Sequence, residues 1–228
     1  MFLTNIATDF INLFFPRICP SCDEVLLRNE HFICTKCLYE LPKTNFHNDP
    51  ENEVAQMFWG RVPVENATSY LYFQKGGLAQ KLLHKLKYKG QKEIGYQLGR
   101  MIGRDLFQSS FNDTQIVVPV PLHKDKLRKR GYNQSECIAR GIAEVMENPV
   151  SSTLYKILPN PTQTRKHRYE RWTNVEGIYA LRDEENINNK HILLVDDVVT
   201  TGATLEACIS ALLQAENVTV SVVTVAKA

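Results

Sequence analysis

No run of 18 apolar residues occurs in this chain of 228 residues, which argues against a membrane-spanning helix. Excess charge of either sign is also missing. With 27 Lys and Arg against 25 Asp and Glu the net charge is +2, so no global field demands a polyanionic partner and basic character has to be local. Two nucleotide-binding loops are absent: there is no G-x-x-x-x-G-K-[ST] and no G-x-G-x-x-G, which argues against a nucleoside triphosphatase or a dinucleotide enzyme. Internal repeats and low-complexity tracts are lacking too. The opening stretch MFLTNIATDFINLFFP has no basic residue ahead of its apolar part, and Asp9 interrupts it, unlike a secretory signal. Within it Leu3, Ile6, Phe10, Leu13 and Phe14 recur at helical spacing. An amphipathic helix over 1–16, docked on the body, is expected. Without Lys or Arg on its polar face it suits a membrane surface poorly. These absences point to the cytoplasm.

What is present begins with cysteine. Four of the six form two C-x2-C turns, Cys19/Cys22 and Cys34/Cys37, separated by eleven residues. Each turn offers two thiolates to one cation, and four sulfurs complete the closed tetrahedral set that structural zinc prefers. A closed site leaves no position for catalysis. Disulfides are the alternative, disfavoured in a reducing compartment. A ribbon over 17–42 is too short to bury a core of its own, so metal supplies its folding energy. Lys36 and Arg17 are balanced by Asp23, Glu24 and Glu30, so the ribbon carries no basic patch. Cys137 and Cys208 fall in predicted helices and read as buried, inert thiols.

Residues 43–60 are polar and rich in Asn, Pro and Glu, and read as a linker to a body at 61–228. In that body VENATSYLYF predicts a strand, and LAQKLLHKLKYKG a helix with Leu78, Leu82 and Leu86 on one face. Its other face holds Lys81, Lys85, Lys87 and Lys89, which reads more simply as solvated surface than as a phosphate or nucleic-acid contact. Gly95, Gly99 and Gly103 share one helix face and suggest close backbone packing. From 115 onward strands and helices alternate: QIVVPVPL, a helix over 133–147 with Ile138, Ile142 and Val145 as its stripe, HILLV, LEACISALLQA and VTVSVVTVA. That alternation is the mark of an α/β fold, a parallel sheet flanked by helices. Ligands in such sheets bind beyond the strands' carboxyl ends.

One of those ends reads ILLVDDVVTTGATL, residues 192–205. Asp196 and Asp197 are expected where the sheet stops. Adjacent ionised carboxylates repel each other and call for partners. A vicinal diol supplies hydrogen bonds to them, and a divalent cation supplies charge. The following VVTTGAT is expected as a tight turn entering a helix, with backbone N–H groups and the positive helix end facing inward. Thr200, Thr201 and Thr204 add hydroxyls, and Gly202 permits a close approach. Such a cradle suits a phosphate dianion. An ordinary helix cap explains one or two of these residues, not two acids, three threonines and a glycine together. A diol reader beside a monophosphate cradle describes a ribose 5-phosphate.

Residues 192–204 resemble the phosphoribosyl-pyrophosphate (PRPP) motif of type I phosphoribosyltransferases. The segments VVPVPLHKDKLRKRGYNQSE and QTRKHRYERWTNVEGIY, the LKYKG at 86–90 and the four-cysteine ribbon resemble those of the ComF family, competence-type phosphoribosyltransferase proteins. The resemblance spans nearly the whole chain and implies a type I phosphoribosyltransferase fold behind an N-terminal zinc ribbon. It implies that Asp196 and Asp197 bind the ribose hydroxyls, and that Val198, Val199, Thr200, Thr201, Gly202, Ala203 and Thr204 form the 5-phosphate loop. Val118 to His123, with Pro119, Val120 and Pro121 at their centre, match the pyrophosphate-side loop, with Arg130, Gly131, Asn133 and Gln134 in the adjoining block. Gln163, Arg168, Arg171 and Asn174 match a hood that closes over the reaction and excludes water. Asp196, Asp197, Arg168 and Arg171 are the implied catalytic positions.

Lys124, Lys126, Arg128, Lys129 and Arg130 after VPVPL, with Arg165, Lys166, Arg168 and Arg171 in the second block, read as two basic loops and make nine of the 27 basic residues. Flanking a phosphate motif, they suit a pyrophosphate leaving group, with magnesium offsetting part of its charge. The resemblance implies PRPP and magnesium as ligands, transfer of phosphoribosyl to an unidentified acceptor, and a role in DNA uptake. An alternative is a non-catalytic, PRPP-responsive factor. It would grip single-stranded DNA with Tyr132, Tyr169 and Trp172 among the basic residues, or dock a competence helicase or other uptake proteins.

Overall fold

The computed structural model describes residues 14–157 and 178–228. The expected N-terminal helix lies outside the described residues except at 14–16, as do Gln163, Arg165, Lys166, Arg168, Tyr169, Arg171, Trp172 and Asn174. The central sheet has four strands, β1 (Ala67–Tyr72), β2 (Ile116–Pro119), β5 (His191–Val199) and β6 (Thr219–Lys227), in the order β1-β6-β5-β2. Every neighbouring pair is parallel. A separate antiparallel pair, β3 (Leu154–Lys156) with β4 (Tyr179–Leu181), was not foreseen. At three residues each, these strands are too short for a period to show.

The apolar runs in the strands reflect burial on both faces. Along β5, Leu193 and Val195 join one cluster and Ile192 and Leu194 the other. Along β6 the same alternation separates Val223 and Val225 from Val220 and Val222. On the first face pack α3 (Leu78–Tyr88), α4 (Lys92–Phe107) and α6 (Gln134–Met146). On the second pack α7 (Ala203–Leu212) and the chain leading into β1. Helix α6 matches its predicted span to within a residue at each end. Asn133 caps it by accepting from the Ser135 amide, and Glu147 ends it at φ +56°.

The polar segment 43–60 is not a free linker. It folds into a 3-10 turn (Phe46–Asn48) and α2 (Glu53–Gln56), and buries Val54 and Phe58 beneath the sheet. Asn52 organises it: its Oδ1 accepts from the Val54 and Ala55 amides, and its Nδ2 donates to the carbonyls of Asp49 and Ala67. One buried side chain thus satisfies backbone groups that composition alone suggested were solvated. The cysteine ribbon, with its short α1 (Thr35–Tyr39), also shares the body's first cluster, where Cys19, Leu26, Ile33, Cys34, Cys37 and Leu41 sit with Leu82, Leu86 and Leu98. Lys85 of α3 pairs with Asp23 of the ribbon.

Helices α4 and α6 touch backbone to backbone, as the glycine spacing suggested. A Cβ added to Gly99 would lie 2.1 Å from the Ile138 carbonyl oxygen, and one at Gly141 2.0 Å from that of Tyr96. At Gly103 the nearest atom, Val145 Cβ, is 3.0 Å away. Alanine gains about 1 kcal/mol in helix propensity at either site, whereas overpacking against backbone costs about 1–3 kcal/mol or more. Gly99→Ala is therefore expected to destabilise the fold by about 2 kcal/mol and Gly103→Ala to be near neutral. Urea unfolding of the two variants checks the ordering.

Candidate functional site

Strand β5 runs past its neighbour. Asp196 is paired with Thr224 of β6, and pairing continues to Val199 opposite Lys227. On the other flank β2 ends at Pro119 opposite Val195, and the Val120 amide still donates to the Val195 carbonyl at 2.9 Å. The acids are therefore not where the sheet stops, as expected, but where one flank of a continuing strand loses its neighbour. A cleft of about 340 Å³ opens there. Successive strand residues point to opposite faces, yet both Asp196 and Asp197 line this cleft.

The Asp196 Oδ1 accepts from the Ser135 hydroxyl and from the Asp197 amide, both at 2.8 Å. Asp197 Oδ2 lies 3.0 Å from Lys87 Nζ. Burial, then the Asp197 carboxylate, push Asp196 up to about 7, while the Asp197 amide, the Ser135 hydroxyl and Lys87 act the other way. Asp196 is thus poised near neutrality, a state typical of functional carboxylates.

Beyond Val199 the chain turns through Thr200 and Thr201 to Gly202, at φ +78°, and α7 starts at Ala203. Val198 and Val199 are strand, so the turn is shorter than expected. Among the described residues, the amides of Thr200, Thr201, Gly202, Ala203 and Thr204 have no hydrogen-bond partner in the protein, and no side chain caps α7. The five residues line a pocket of about 60 Å³, together with Asp196, Val198 and Val199. That is room for about two water volumes, the scale of one oxyanion. Phe58 backs Gly202, and Arg61 Nη1 donates to the Thr201 carbonyl at 3.1 Å while pairing with Glu206. The supposed linker therefore buttresses this loop.

The second wall comes from the β2 end. Val120, Pro121, Leu122 and His123 line the cleft, whereas Pro119 is buried in β2. The five basic residues that follow form a short helix, α5 (Lys124–Arg130), not a loop. Only Lys126 and Arg130, four apart on one face, reach the cleft; Lys124, Arg128 and Lys129 are exposed elsewhere. Tyr132 is no stacking platform, because it is buried and its hydroxyl donates to the Leu86 carbonyl. Tyr88 is the exposed ring here, with the Arg130 guanidinium 5.6 Å from its centre.

Several cleft residues escaped the motif reading. Lys87, on the face read as solvated surface, signalled itself only through LKYKG. Gln134 and Ser135 stand in a quoted block without roles; the Gln134 Nε2 is buried with no partner. Tyr179 closes the quoted block QTRKHRYERWTNVEGIY without a role of its own, and Lys156, whose Nζ lies 3.2 Å from the Tyr179 hydroxyl, had no signal.

In the ribbon, the four thiols of Cys19, Cys22, Cys34 and Cys37 lie within 4.8 Å of one another, with Cys22 and Cys34 Sγ 3.7 Å apart. Four sulfurs about 2.3 Å from a tetrahedral ion stand about 3.8 Å apart, so the set can hold a metal ion. Burial raises the Cys19 thiol, but the amides of Cys34, Cys22 and Ser21 outweigh it and bring it down to about 7. Burial and the neighbouring thiols hold Cys37 well up. A cation at their centre would offset the mutual repulsion of the thiolates. Glu30, counted by sequence as surface charge, instead ties the knuckles together by accepting from the Leu27 and Thr35 amides. Cys208 is buried as expected and Cys137 partly so.

Comparison with known proteins agrees with this geometry. Residues 135–228 match the phosphoribosyl transferase domain family. Competence protein ComFC of Bacillus subtilis is 26% identical over 207 residues, covering 87% of this chain and 72% of that protein. These likenesses support a ComF-family, phosphoribosyltransferase-like protein. Competence protein F of Haemophilus influenzae and DNA utilization protein YhgH of Salmonella typhi are each 28% identical, over 54% and 62% of this chain. The chain spans less than two thirds of their length, 57% and 63%. Its fold is the type I phosphoribosyltransferase fold, a parallel sheet flanked by helices, with four clustered cysteines near the N-terminus. Glutamine PRPP amidotransferase from B. subtilis, complexed with ADP and GMP, overlays 61% of this chain and 30% of its own at 18% identity. Its TM-score of 0.42 is too loose to carry a functional argument. Among the described residues no helix is long and apolar enough to cross a membrane.

The raised Asp196 has a consequence for stability. Between about pH 4 and pH 7 the folded chain keeps a proton that the unfolded chain has released, so stability falls as pH rises through that window and then levels. Asp196→Asn removes the penalty. Its stability relative to wild type is expected to rise by roughly 1–3 kcal/mol between about pH 5 and about pH 8. Urea unfolding at the two pH values measures it, and an equal offset at both would contradict the assignment.

Proposed function

We propose that the chain binds PRPP with magnesium in this cleft and transfers the phosphoribosyl group to an acceptor. The observation that carries the reading is the run of five unpartnered amides from Thr200 to Thr204, opening beside two cleft-lining carboxylates. In this reading the amides and threonine hydroxyls take the 5-phosphate, and Asp196 and Asp197 accept from the ribose hydroxyls. Lys126 and Arg130 face the pyrophosphate. The reaction is displacement of pyrophosphate from the anomeric carbon by a nucleophile, through a transition state with oxocarbenium character. Negative charge grows on the leaving group, so fixed cations beside it bind the transition state more tightly than the ground state. Magnesium, held from the acid pair, supplies further charge neutralisation. Gln163, Arg168 and Arg171 are assigned to the covering hood by motif alone.

Two details accompany this reading. The four-thiolate set is assigned to structural zinc, in keeping with a cytoplasmic chain whose thiols stay reduced. The relatives' names, competence and DNA utilization, favour a second reading of the whole protein as a PRPP-responsive factor in DNA uptake, acting on single-stranded DNA or an uptake helicase. It shares the ligand and differs in turnover.

Isothermal titration separates the cases. Zinc-loaded protein is expected to bind PRPP with magnesium, and Asp196→Ala with Asp197→Ala to lose binding by at least about a hundredfold, the scale of removing two charge-assisted partners. No heat from folded wild type, with or without magnesium, rejects the reading. Pyrophosphate release in the presence of an acceptor supports transfer, and binding without release across acceptor classes supports the second reading. Chelation is expected to extract about one zinc per chain and lower the thermal midpoint, with Cys19→Ser behaving likewise; atomic emission and calorimetry read both.

A further inference from the structure

Lys87 is the cleft residue least explained by the motif. It projects from the last turn of α3, and Lys85, two residues earlier, turns away to the ribbon's Asp23. The end of α3 is held from outside the helix, because the buried Tyr132 hydroxyl donates to the Leu86 carbonyl. The ammonium is thereby placed 3.0 Å from Asp197 Oδ2, where both side chains are mostly covered. It faces Asp196 as well, whose carboxylate it favours. Tyr88 and Arg130 line the adjoining wall.

We infer that Lys87 is the resident counter-ion of the acid pair, which keeps divalent cation off Asp197 until PRPP arrives and then passes to the pyrophosphate. The inference rests on the PRPP reading of the cleft. A metal ion approaching Asp197 alone meets an ammonium at the same oxygen, and two cations at one carboxylate repel. A metal ion arriving with PRPP brings a pyrophosphate whose charge can take the ammonium in exchange. The swap conserves the number of ion pairs, leaves no buried charge unpaired, and makes metal and PRPP binding mutually reinforcing. Lys87 is then a positioning residue for the metal and a direct ligand of the leaving group.

The test uses full-length, zinc-loaded chain and two titrations with opposite expected signs. In the first, Mn2+ alone is followed by electron paramagnetic resonance; Lys87→Met is expected to bind it about tenfold more tightly than wild type. In the second, PRPP at saturating magnesium is followed by calorimetry; the same variant is expected to bind about tenfold more weakly. A variant that is merely damaged loses affinity in both. Lys87→Arg, which keeps the charge, is expected to stay near wild type for Mn2+, and Lys87→Gln serves in place of Met if the latter does not fold. Unchanged Mn2+ affinity in Lys87→Met, or unchanged PRPP affinity, overturns the inference. Failure of wild type to bind PRPP at all sinks the reading of the cleft, while the Mn2+ comparison still decides whether Lys87 guards Asp197.

Discussion

The site depends on an unequal pairing of one strand. β5 is held by β6 along its whole length but by β2 only as far as Val195. Had both neighbours run equally far, Asp196 would be flanked on both sides by backbone and no cleft would open. Had neither continued, the acids would sit on a loose end. Pairing on one side fixes the backbone of the acids while exposing their flank. The chain released at Val199 needs only Thr200 to Gly202 to reach the start of α7.

That placement is costly, and the surroundings offset the cost piece by piece. Two neighbouring carboxylates with restricted solvent access repel each other. The Ser135 hydroxyl and the Asp197 amide serve one, and Lys87 the other. These partners come from α6, the strand itself and α3, so the electrostatics of the cleft draw on three elements far apart in sequence. The same logic holds for the turn: Arg61 donates to the Thr201 carbonyl, while the amides from Thr200 to Thr204 have no partner among the described residues.

Much of this was legible from residues alone. Alternating strands and helices gave the parallel sheet, the glycine spacing gave the α4–α6 contact, and the two C-x2-C turns gave the sulfur cluster. The acids and the hydroxyl turn were found because local chemistry dense enough to look odd survives without a fold. Lys156 and Arg61 were not found, since each acts through a long-range contact and is an ordinary lysine or arginine in its own neighbourhood; Lys87 and Tyr179 lay in quoted segments but without a role of their own. Residues 43–60 were misread for a related reason. Asn52, counted as polarity, directs its polarity inward to the backbone. Phe58 stands between Met57 and Trp59, and that it is the one fully buried shows only in three dimensions. The run of basic residues at 124–130 was taken as a loop, though His123 caps it as a helix and turns most of its charges outward.

The glycine seam between α4 and α6 reaches the cleft by a mechanical route. Where Gly99 and Gly141 meet, backbone touches backbone with no side chain between to change rotamer, and the two helices resist sliding there. Ser135 stands in the first turn of α6 and inherits that stiffness. Its hydroxyl meets Asp196 from a fixed abutment, so the carboxylate's orientation is set by a helix seam that never touches it.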